Sequence, residues 1–592
     1  MDTHYRRVTT NEELRDGPLK DRRCTDVFCF LVFLVFIAAM VVVGVFGFMN
    51  GDPALIIYPH DSSGNQCGRP GTPAEKYPLL YFVDPDSTKF TVCVKECPQT
   101  EAPECLPNNW VVNCKFTVKH ENNKTEHIDP VDSVSFIKKV CLPEESKNAE
   151  AHEAVLQDFQ DSKMVDYLDD LANSWLVLVG VVVFSVVLSL VFMFLLRYLA
   201  GVVVWASILI ILAAFTLFGL YMYWESSNTK YSSDNQNLFL GLGIASWVLG
   251  FIALVLFIFM FRKIELAIAI VKSAALFISE TSHIVLFPLV MFFVSVGIYA
   301  YWVLALLYLY SSGEMPESDR YSPIAELTWN ENLRNAFYFE LVGILWINSF
   351  KIALTQFVVS YSVCVWYFNQ NRDSQESKVC RGLGLGLFYH IGSLAFGSFV
   401  LAVVWLVKFV VSLLAKTHRE AAESNPLIKC ICGCMACFVS CFERLLKFLD
   451  HQAYIRIALT GEPFCEAARN AFDTIISHAS DYIALGGVGA IFQTLGRVLI
   501  TVVSSYLGYF AVTHYDYYTE RLDSPVMPLI VFVLFSYLVS SLFLSVYEMA
   551  SDTIIQAYLL DESLNNGSTI FAPEPLLEFM QEHGHKIKKK SS

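Results

Sequence analysis

The sequence predicts an all-α polytopic membrane protein of about ten transmembrane helices, with a disulfide-rich extracellular loop domain between helices 1 and 2. Three observations lead there. Hydrophobic residues make up 54% of the 592 positions against 17% charged, more apolar side chain than soluble cores use. Stretches of about 20 apolar residues, the length that crosses the hydrocarbon of a bilayer, recur along the chain. Six of the 16 cysteines fall within one long polar insertion at 50–172. The net charge of −15 repels phosphate, so no nucleic acid is expected as a partner. The apolar content also argues against a disordered chain or a cytosolic enzyme.

Residues 1–26 read as a polar tail with six Lys and Arg. The first crossing, 27–49, runs too long, and lacks the small-residue cleavage site, to be a removable signal, so it reads as an anchor. Residues 50–172 form the loop domain. The bundle occupies 173–550, with crossings at 173–197, 201–224, 238–262, 284–310, 337–368, 386–414, 428–449, 484–510 and 526–550, and 551–592 is a second tail. Each crossing must be helical because lipid offers the backbone no hydrogen-bond partner. The segment 428–449 is Cys-rich and ends on Glu443, Arg444 and Lys447, so an amphipathic helix along the interface is the alternative there. Basic residues of short loops stay on the cytoplasmic side. With ten crossings, 21 Lys and Arg lie inside and 7 in short outside loops, which predicts that both termini are cytoplasmic.

In the insertion, Cys67, Cys93, Cys97, Cys105, Cys114 and Cys141 make up to three disulfides in an oxidising compartment, with 15 connectivities open. Asn123 in Asn-Lys-Thr is a glycosylation acceptor on that side, whereas Asn566 in Asn-Gly-Ser falls in the opposite tail and is expected to stay unused. The insertion holds 21 acidic against 11 basic residues. Ordinary solubility explains this, with local enrichment of cations as the alternative.

Ionisable residues inside crossings are costly and point to function or to a partner. They are Glu340, Lys351, His390, Arg497, Glu548 and Asp552. Glu548 and Asp552, four residues apart, share a helix face, where they form either a cation exit station or a pair with Arg497. Lys351 is expected to pair with Glu340 or to snorkel, and His390 to be packed and hydrogen-bonded or to report pH. Glycine groups at 241, 243 and 250, at 382, 384 and 386, and at 486, 487 and 489 mark close helix packing or an unwound cavity lining. Cys430, Cys432 and Cys434, followed by Cys437 and Cys441, lack the paired spacing of a zinc site. They read as acylation candidates or as reduced packing residues. The terminal Lys589 and Lys590 resemble a dilysine retrieval signal or form a basic tail attracted to anionic lipid. No phosphate-binding loop and no metal site is found, so no cofactor is expected. His514 with Asp516, the one close acid–base couple, has no third partner, and the chain is not expected to be an enzyme.

An ordered series of motifs carries a resemblance. It begins with Lys20 to Val27 (KDRRCTDV), Gly51, Asp52 and Pro53, Tyr58 and Pro59, and Cys67 and Gly68. It continues with Arg262 to Ile270 (RKIELAIAI), Tyr301 and Trp302, Ile352 to Gln356 (IALTQ) and Gly392 to Ser398 (GSLAFGS). It ends with Ala453 to Ile457 (AYIRI), Phe464 and Cys465, Leu495 to Leu499 (LGRVL) and Ser545 to Thr553 (SVYEMASDT). Over nearly its whole length the chain resembles the choline transporter-like family of solute carriers. It departs from the family pattern at Asp450, His451 and Gln452, at Arg497 and at Lys351. The resemblance implies choline, or a related quaternary or primary ammonium solute such as ethanolamine, as the partner, and a plasma or organelle membrane as the location.

A trimethylated ammonium cannot donate a hydrogen bond, so a site for it is built from ring faces, each worth about 0.5–2 kcal/mol. The candidate substrate-binding residues are Tyr299, Tyr301, Trp302, Glu340, Trp346, Gln356, Glu548 and Asp552, with Trp366 and Tyr367 as further rings. The alternative function is a non-transporting membrane scaffold or receptor that uses the Cys-rich loop.

Overall fold

The computed structural model describes residues 14, 17–19, 21–83, 90–98, 104–119, 125–128, 133–136, 139–143, 170–171, 173–227, 233–313, 328–369, 378–417, 426–519, 522, 524–565 and 568–582. Asn123, Asn566 and the C-terminal lysines lie outside them. Among the described residues, thirteen helices of nine residues or more organise the chain: α1 Val27–Asn50, α2 Trp175–Ser226, α3 Ser233–Phe259, α4 Phe261–Glu280, α5 Leu286–Tyr310, α6 Glu331–Phe368, α7 Lys378–Phe388, α8 Ile391–Thr417, α9 Pro426–Thr460, α10 Phe464–Ser477, α11 Ala479–His514, α12 Val526–Leu564 and α13 Glu574–Glu582. Among the described residues, eight helices are long and apolar enough to cross a membrane: α1, α2, α3, α5, α6, α8, α11 and α12.

The count differs from ten for two physical reasons. The crossings expected at 173–197 and 201–224 are one helix of 52 residues, about 78 Å at 1.5 Å per residue. Between them stand only Tyr198, Leu199 and Ala200, without the proline that would stop a helix. Arg197 donates to Ser279 Oγ of α4 at 3.3 Å. The segment 428–449 lies within α9, whose charges are used in packing. Glu443 bridges Lys408 of α8 at 2.6 Å and Lys447 at 2.8 Å. Cys430, Cys432 and Cys434 sit in the first turns of α9 with side chains outside the described atoms. α12 runs on to Leu564 rather than ending at 550, and Thr553–Leu559 remain buried along it.

The bundle has two halves. Helices α1, α5, α6, α8 and α9 pack on one another, as do α2, α4, α11 and α12, and the halves meet where α6 and α9 touch α12. Thr553 on α12 donates to Ser360 Oγ on α6 at 3.1 Å across this seam. α1 and α5 approach so closely that a Cβ at Gly51 would collide with the Tyr308 carbonyl oxygen, which is why no side chain fits there. Helix α4 is buried along nearly its whole length and forms the floor of the second half, with α13 packed on it.

The segment before α1 is stitched to the end of the bundle from which the C-terminal helix also emerges. Arg22 is 9% exposed. Its Nη1 and Nη2 donate to Ile457 O and Ala458 O at 2.7 and 2.6 Å, and its Nε to Leu19 O at 2.8 Å. The first two are carbonyls of the last turn of α9, the end of the helix that attracts a cation, and Ile457 O also accepts from Gly461 N at 2.9 Å. Burial lowers the Arg22 pKa to about 10, so the guanidinium stays charged. Thr25 Oγ1 sits 2.7 Å from Ser393 Oγ and 3.0 Å from His390 Nδ1, and Asp26 Oδ2 accepts from Ser393 Oγ at 2.6 Å and from Phe464 N at 2.9 Å. His390 is therefore a packed, hydrogen-bonded residue in the break between α7 and α8.

The insertion carries strands β1 Leu79–Phe82, β2 Thr91–Val94, β3 Cys105–Leu106, β4 Thr117–Lys119, β5 Thr125–His127, β6 Ser133–Phe136 and β7 Val140–Pro143. Five form a sheet in the order β3-β2-β1-β7-β6, and β4 pairs with β5. Disulfides join Cys67 to Cys93, Cys97 to Cys141 and Cys105 to Cys114, so all six cysteines of the insertion are paired. They staple a domain whose two hydrophobic clusters are small.

Within this domain His60 is 4% exposed, and its Nε2 lies 3.1 Å from the Gln66 side-chain nitrogen. The amide must donate, so the imidazole accepts and is neutral. Burial lowers its pKa below the usual 6.5. The unfolded chain therefore takes up a proton that the fold resists, and the stability contributed is present above the ordinary pKa and lost as pH falls. Lowering pH from about 7.5 to about 5.5 is expected to speed amide exchange at residues 60–66 beyond the intrinsic effect of pH. An unchanged corrected rate would refute this, and His60→Gln is expected to remove the dependence.

Candidate functional site

A cavity of about 180 Å³ lies on the seam between the two halves, walled by α4, α9, α11 and α12. Its aromatic lining is Phe448, Tyr482, Phe492 and Tyr547, its acids are Glu548 and Asp552, and Gln452 and Gln493 add amides. Glu548 lies 22 residues into α12, about 33 Å along the helix. The cavity is thus at the end of the membrane region opposite the disulfide domain.

Each side chain arrives there for a local reason. On α12, Tyr547, Glu548, Ser551 and Asp552 are spaced so that one face of the helix presents all four. Tyr547 is fixed by donating its hydroxyl to Val271 O of α4. On α11, Gly486 and Gly489 keep the wall open, and a Cβ at either would meet nothing within 4 Å. On α9, Gln452 accepts from Gln556 Nε2 at 2.5 Å and lies 3.5 Å from Asp552 Oδ2.

The electrostatics are asymmetric. Both acids line the cavity, whereas their basic partners His451 and Arg497 do not. His451 Nε2 is 2.8 Å from Asp552 Oδ2, and Arg497 Nη2 is 3.7 Å from Glu548 Oε2 and also donates to Gln493 Oε1 at 3.1 Å. A site with four rings and two partly exposed carboxylates suits a small organic cation. Among the described residues no cluster of His, Cys, Asp and Glu could hold a metal.

The other sequence-singled residues lie elsewhere. Trp346 is 4% exposed, donates its indole N–H to Ala395 O at 3.1 Å, and packs 5.1, 4.7 and 4.9 Å from Phe33, Phe36 and Phe399. Trp302 donates to the Glu340 backbone carbonyl at 3.1 Å. Tyr301 and Tyr299 are 43% and 40% exposed on the bundle surface, with Tyr301 beside Phe48 and Tyr299 6.0 Å from Lys351 Nζ. Lys351 donates to Ser295 Oγ at 2.6 Å rather than to Glu340. Glu340 is 2% exposed, and its Oε1 has no hydrogen-bond partner among the described residues. Gln356 is half-buried on α6, and Trp366 and Tyr367 contact Glu280 and Asp561. Sequence reasoning thus named the two cavity acids and missed the four rings. The signals were present: Tyr547 directly precedes Glu548 in one motif, and Tyr482 and Phe492 flank the glycine run.

Comparison with known proteins bears on the whole chain. The sequence model of the family described as plasma-membrane choline transporter matches residues 244–563. Choline transporter-like protein 2 of Dictyostelium discoideum is 28% identical over 94% of this chain and 93% of its own length. Choline transporter-like protein 1 of Xenopus laevis is 25% identical over 99% and 97%, and choline transporter-like protein 2 of Homo sapiens is 27% identical over 93% of both. With more than half of its length matched by the family model and its relatives aligned nearly end to end, this multi-pass membrane chain belongs to the choline transporter-like family.

Proposed function

We propose that the chain is a carrier that moves choline across a membrane by way of the seam cavity, with Asp552 and Glu548 supplying the counter-charge and Phe448, Tyr482, Phe492 and Tyr547 the ring faces. The observation that supports this best is the coincidence, in one cavity of about 180 Å³, of two acids with four aromatic residues. In this reading Trp302, Trp346, Tyr299, Tyr301, Glu340 and Gln356 serve the packing of the first half rather than the substrate. Ethanolamine, a primary ammonium, would use the same acids and gain less from the rings. A membrane potential of 100 mV is worth about 2.3 kcal/mol per charge, enough for roughly 40-fold inward accumulation of a monovalent cation without any second solute. Proton exchange is the alternative coupling, with His451 beside Asp552 as the exchanging group. The plasma membrane is the proposed location, with the disulfide domain outside, glycosylated at Asn123, and both termini in the cytoplasm.

Uptake of radiolabelled choline into proteoliposomes with an imposed potassium diffusion potential tests the proposal. Saturable, potential-driven flux is expected. A scaffold or receptor would give none, and an exchanger would respond to a pH gradient instead. Trp346→Ala separates the packing role from a substrate role. Emptying that cluster is expected to cost about 3–5 kcal/mol of stability, seen as a lower unfolding temperature in detergent. The KM for choline of the protein that does fold should stay near wild type, and a raised KM with unchanged thermal stability would return Trp346 to the substrate site.

A further inference from the structure

Hydroxyls in apolar helices ordinarily bond to a carbonyl one turn back, and Ser185, Ser189, Ser273, Ser362 and Ser551 all do so. Among the described residues, four buried Ser and Thr hydroxyls of the membrane helices have no partner at all. Thr501, Ser504 and Ser505 on α11 and Ser541 on α12 have no hydrogen-bond partner among the described residues, although the first three are 8%, 0% and 3% exposed. Two further polar atoms of α11 share this condition: the Tyr482 hydroxyl, on the cavity wall, and Arg497 Nε. From Tyr482 to Ser505 the helix rises about 35 Å, which is close to the thickness of the hydrocarbon.

The placement of these groups is ordered. Arg497, Thr501, Ser504 and Gly508 recur at helical spacing, so they share a face. Gly496 and Gly508 show where α11 packs: a Cβ at Gly496 would meet Phe192 and Leu544, and one at Gly508 would meet Val181 and Phe532. The face therefore turns toward α2 and α12, where Ser185 Oγ lies 3.2 Å from Ser536 Oγ, both residues being fully buried. Toward the cavity this zone is bounded by the Arg497–Glu548 pair. Toward the disulfide domain it is capped by the apolar cluster of Val181, Val512 and Phe532.

Leaving buried hydroxyls unpaired is costly, and it is tolerated where a transient partner takes them up. Oxygen dipoles without a fixed anion solvate a permanent cation without trapping it, which passage requires. We propose that the hydroxyl zone of α11, α12 and α2 is the half of the substrate path between the cavity and the disulfide-domain face, shut at one end by Arg497–Glu548 and at the other by Val181, Val512 and Phe532. The proposal rests on the carrier reading in naming choline as the solute, while the path itself is tested without it.

Ser504→Cys and Ser505→Cys in the full chain, each alone and combined with Phe532→Ala, are treated from the disulfide-domain side with a membrane-impermeant trimethylammonium methanethiosulfonate. Labelling is read by peptide mass spectrometry against the wild-type chain. Val502→Cys, at a position 60% exposed on the bundle surface, is the lipid-facing control and should stay unlabelled. Labelling at 504 or 505 is expected, faster by about tenfold when Phe532 is truncated, and slowed severalfold by saturating choline. Absence of labelling in both backgrounds, or labelling that choline does not slow, overturns the proposal. Failed labelling with intact choline uptake moves the path elsewhere and leaves the carrier reading standing, whereas absent uptake defeats that reading whatever the labelling shows.

Discussion

Asp552→Asn is expected to lower kcat/KM for choline uptake by about tenfold or more, mostly through KM, without preventing folding. The substitution keeps size and shape and removes the negative charge. Two unit charges about 4 Å apart interact by about 4 kcal/mol at the effective dielectric of a protein surface. Desolvation and the nearby His451 reduce the net value, and about 1.4 kcal/mol is already tenfold. Asp552 is the sharper test of the two acids because its close partner is a histidine outside the lining rather than a guanidinium. Glu548 has Arg497 to satisfy at 3.7 Å, so Glu548→Gln also leaves a half-buried guanidinium with Gln493 alone and should disturb gating as well as binding. Initial rates in proteoliposomes, normalised to reconstituted protein, measure both. Unaltered kinetics in the pair of variants would take the substrate out of this cavity.

Filling the cavity should have a still larger effect on flux. The wall at Gly486 and Gly489 is open, and a methyl group added at either glycine would have nothing within 4 Å of it. Gly489→Ala should therefore be tolerated and transport normally, whereas Gly489→Leu places a branched side chain in a space of about 180 Å³. Uptake should fall by about two orders of magnitude, the loss grading with volume through Gly489→Val, in the regime where the excluded group costs a few kcal/mol. Thermal stability should hold or rise, because glycine is a poor residue for a helix interior. A leucine variant that carries choline at the wild-type rate would be incompatible with the cavity as a station on the route.

Much of the architecture was legible because lipid forces long apolar helices, and the six clustered cysteines announced a stapled domain. Disulfide connectivity was not legible, since pairing depends on the sheet order that brings β2 next to β1 and β1 next to β7. The helix through 198–200 was missed because two apolar stretches of crossing length meet there, and their length alone does not tell a three-residue loop from a continuous helix. At the site, a period of four residues revealed Glu548 and Asp552, whereas the rings come from α9, α11 and α12 and converge only in three dimensions. Trp302 and Trp346 attracted notice as large rings inside crossings, a property that packing and binding share. The departures from the family pattern were more informative than they looked from sequence. His451 and Arg497 hold the two cavity acids and Gln452 lines the wall.

The strap that precedes α1 has a mechanical consequence. Helix α9 gives Phe448 and Gln452 to the cavity, and two turns later its closing carbonyls grip the Arg22 guanidinium. Any swing of α9 that widens or narrows the cavity must drag the root of α1 along with it. The first helix, though it contributes no residue to the cavity wall, is thereby harnessed to the motion of the residues that do.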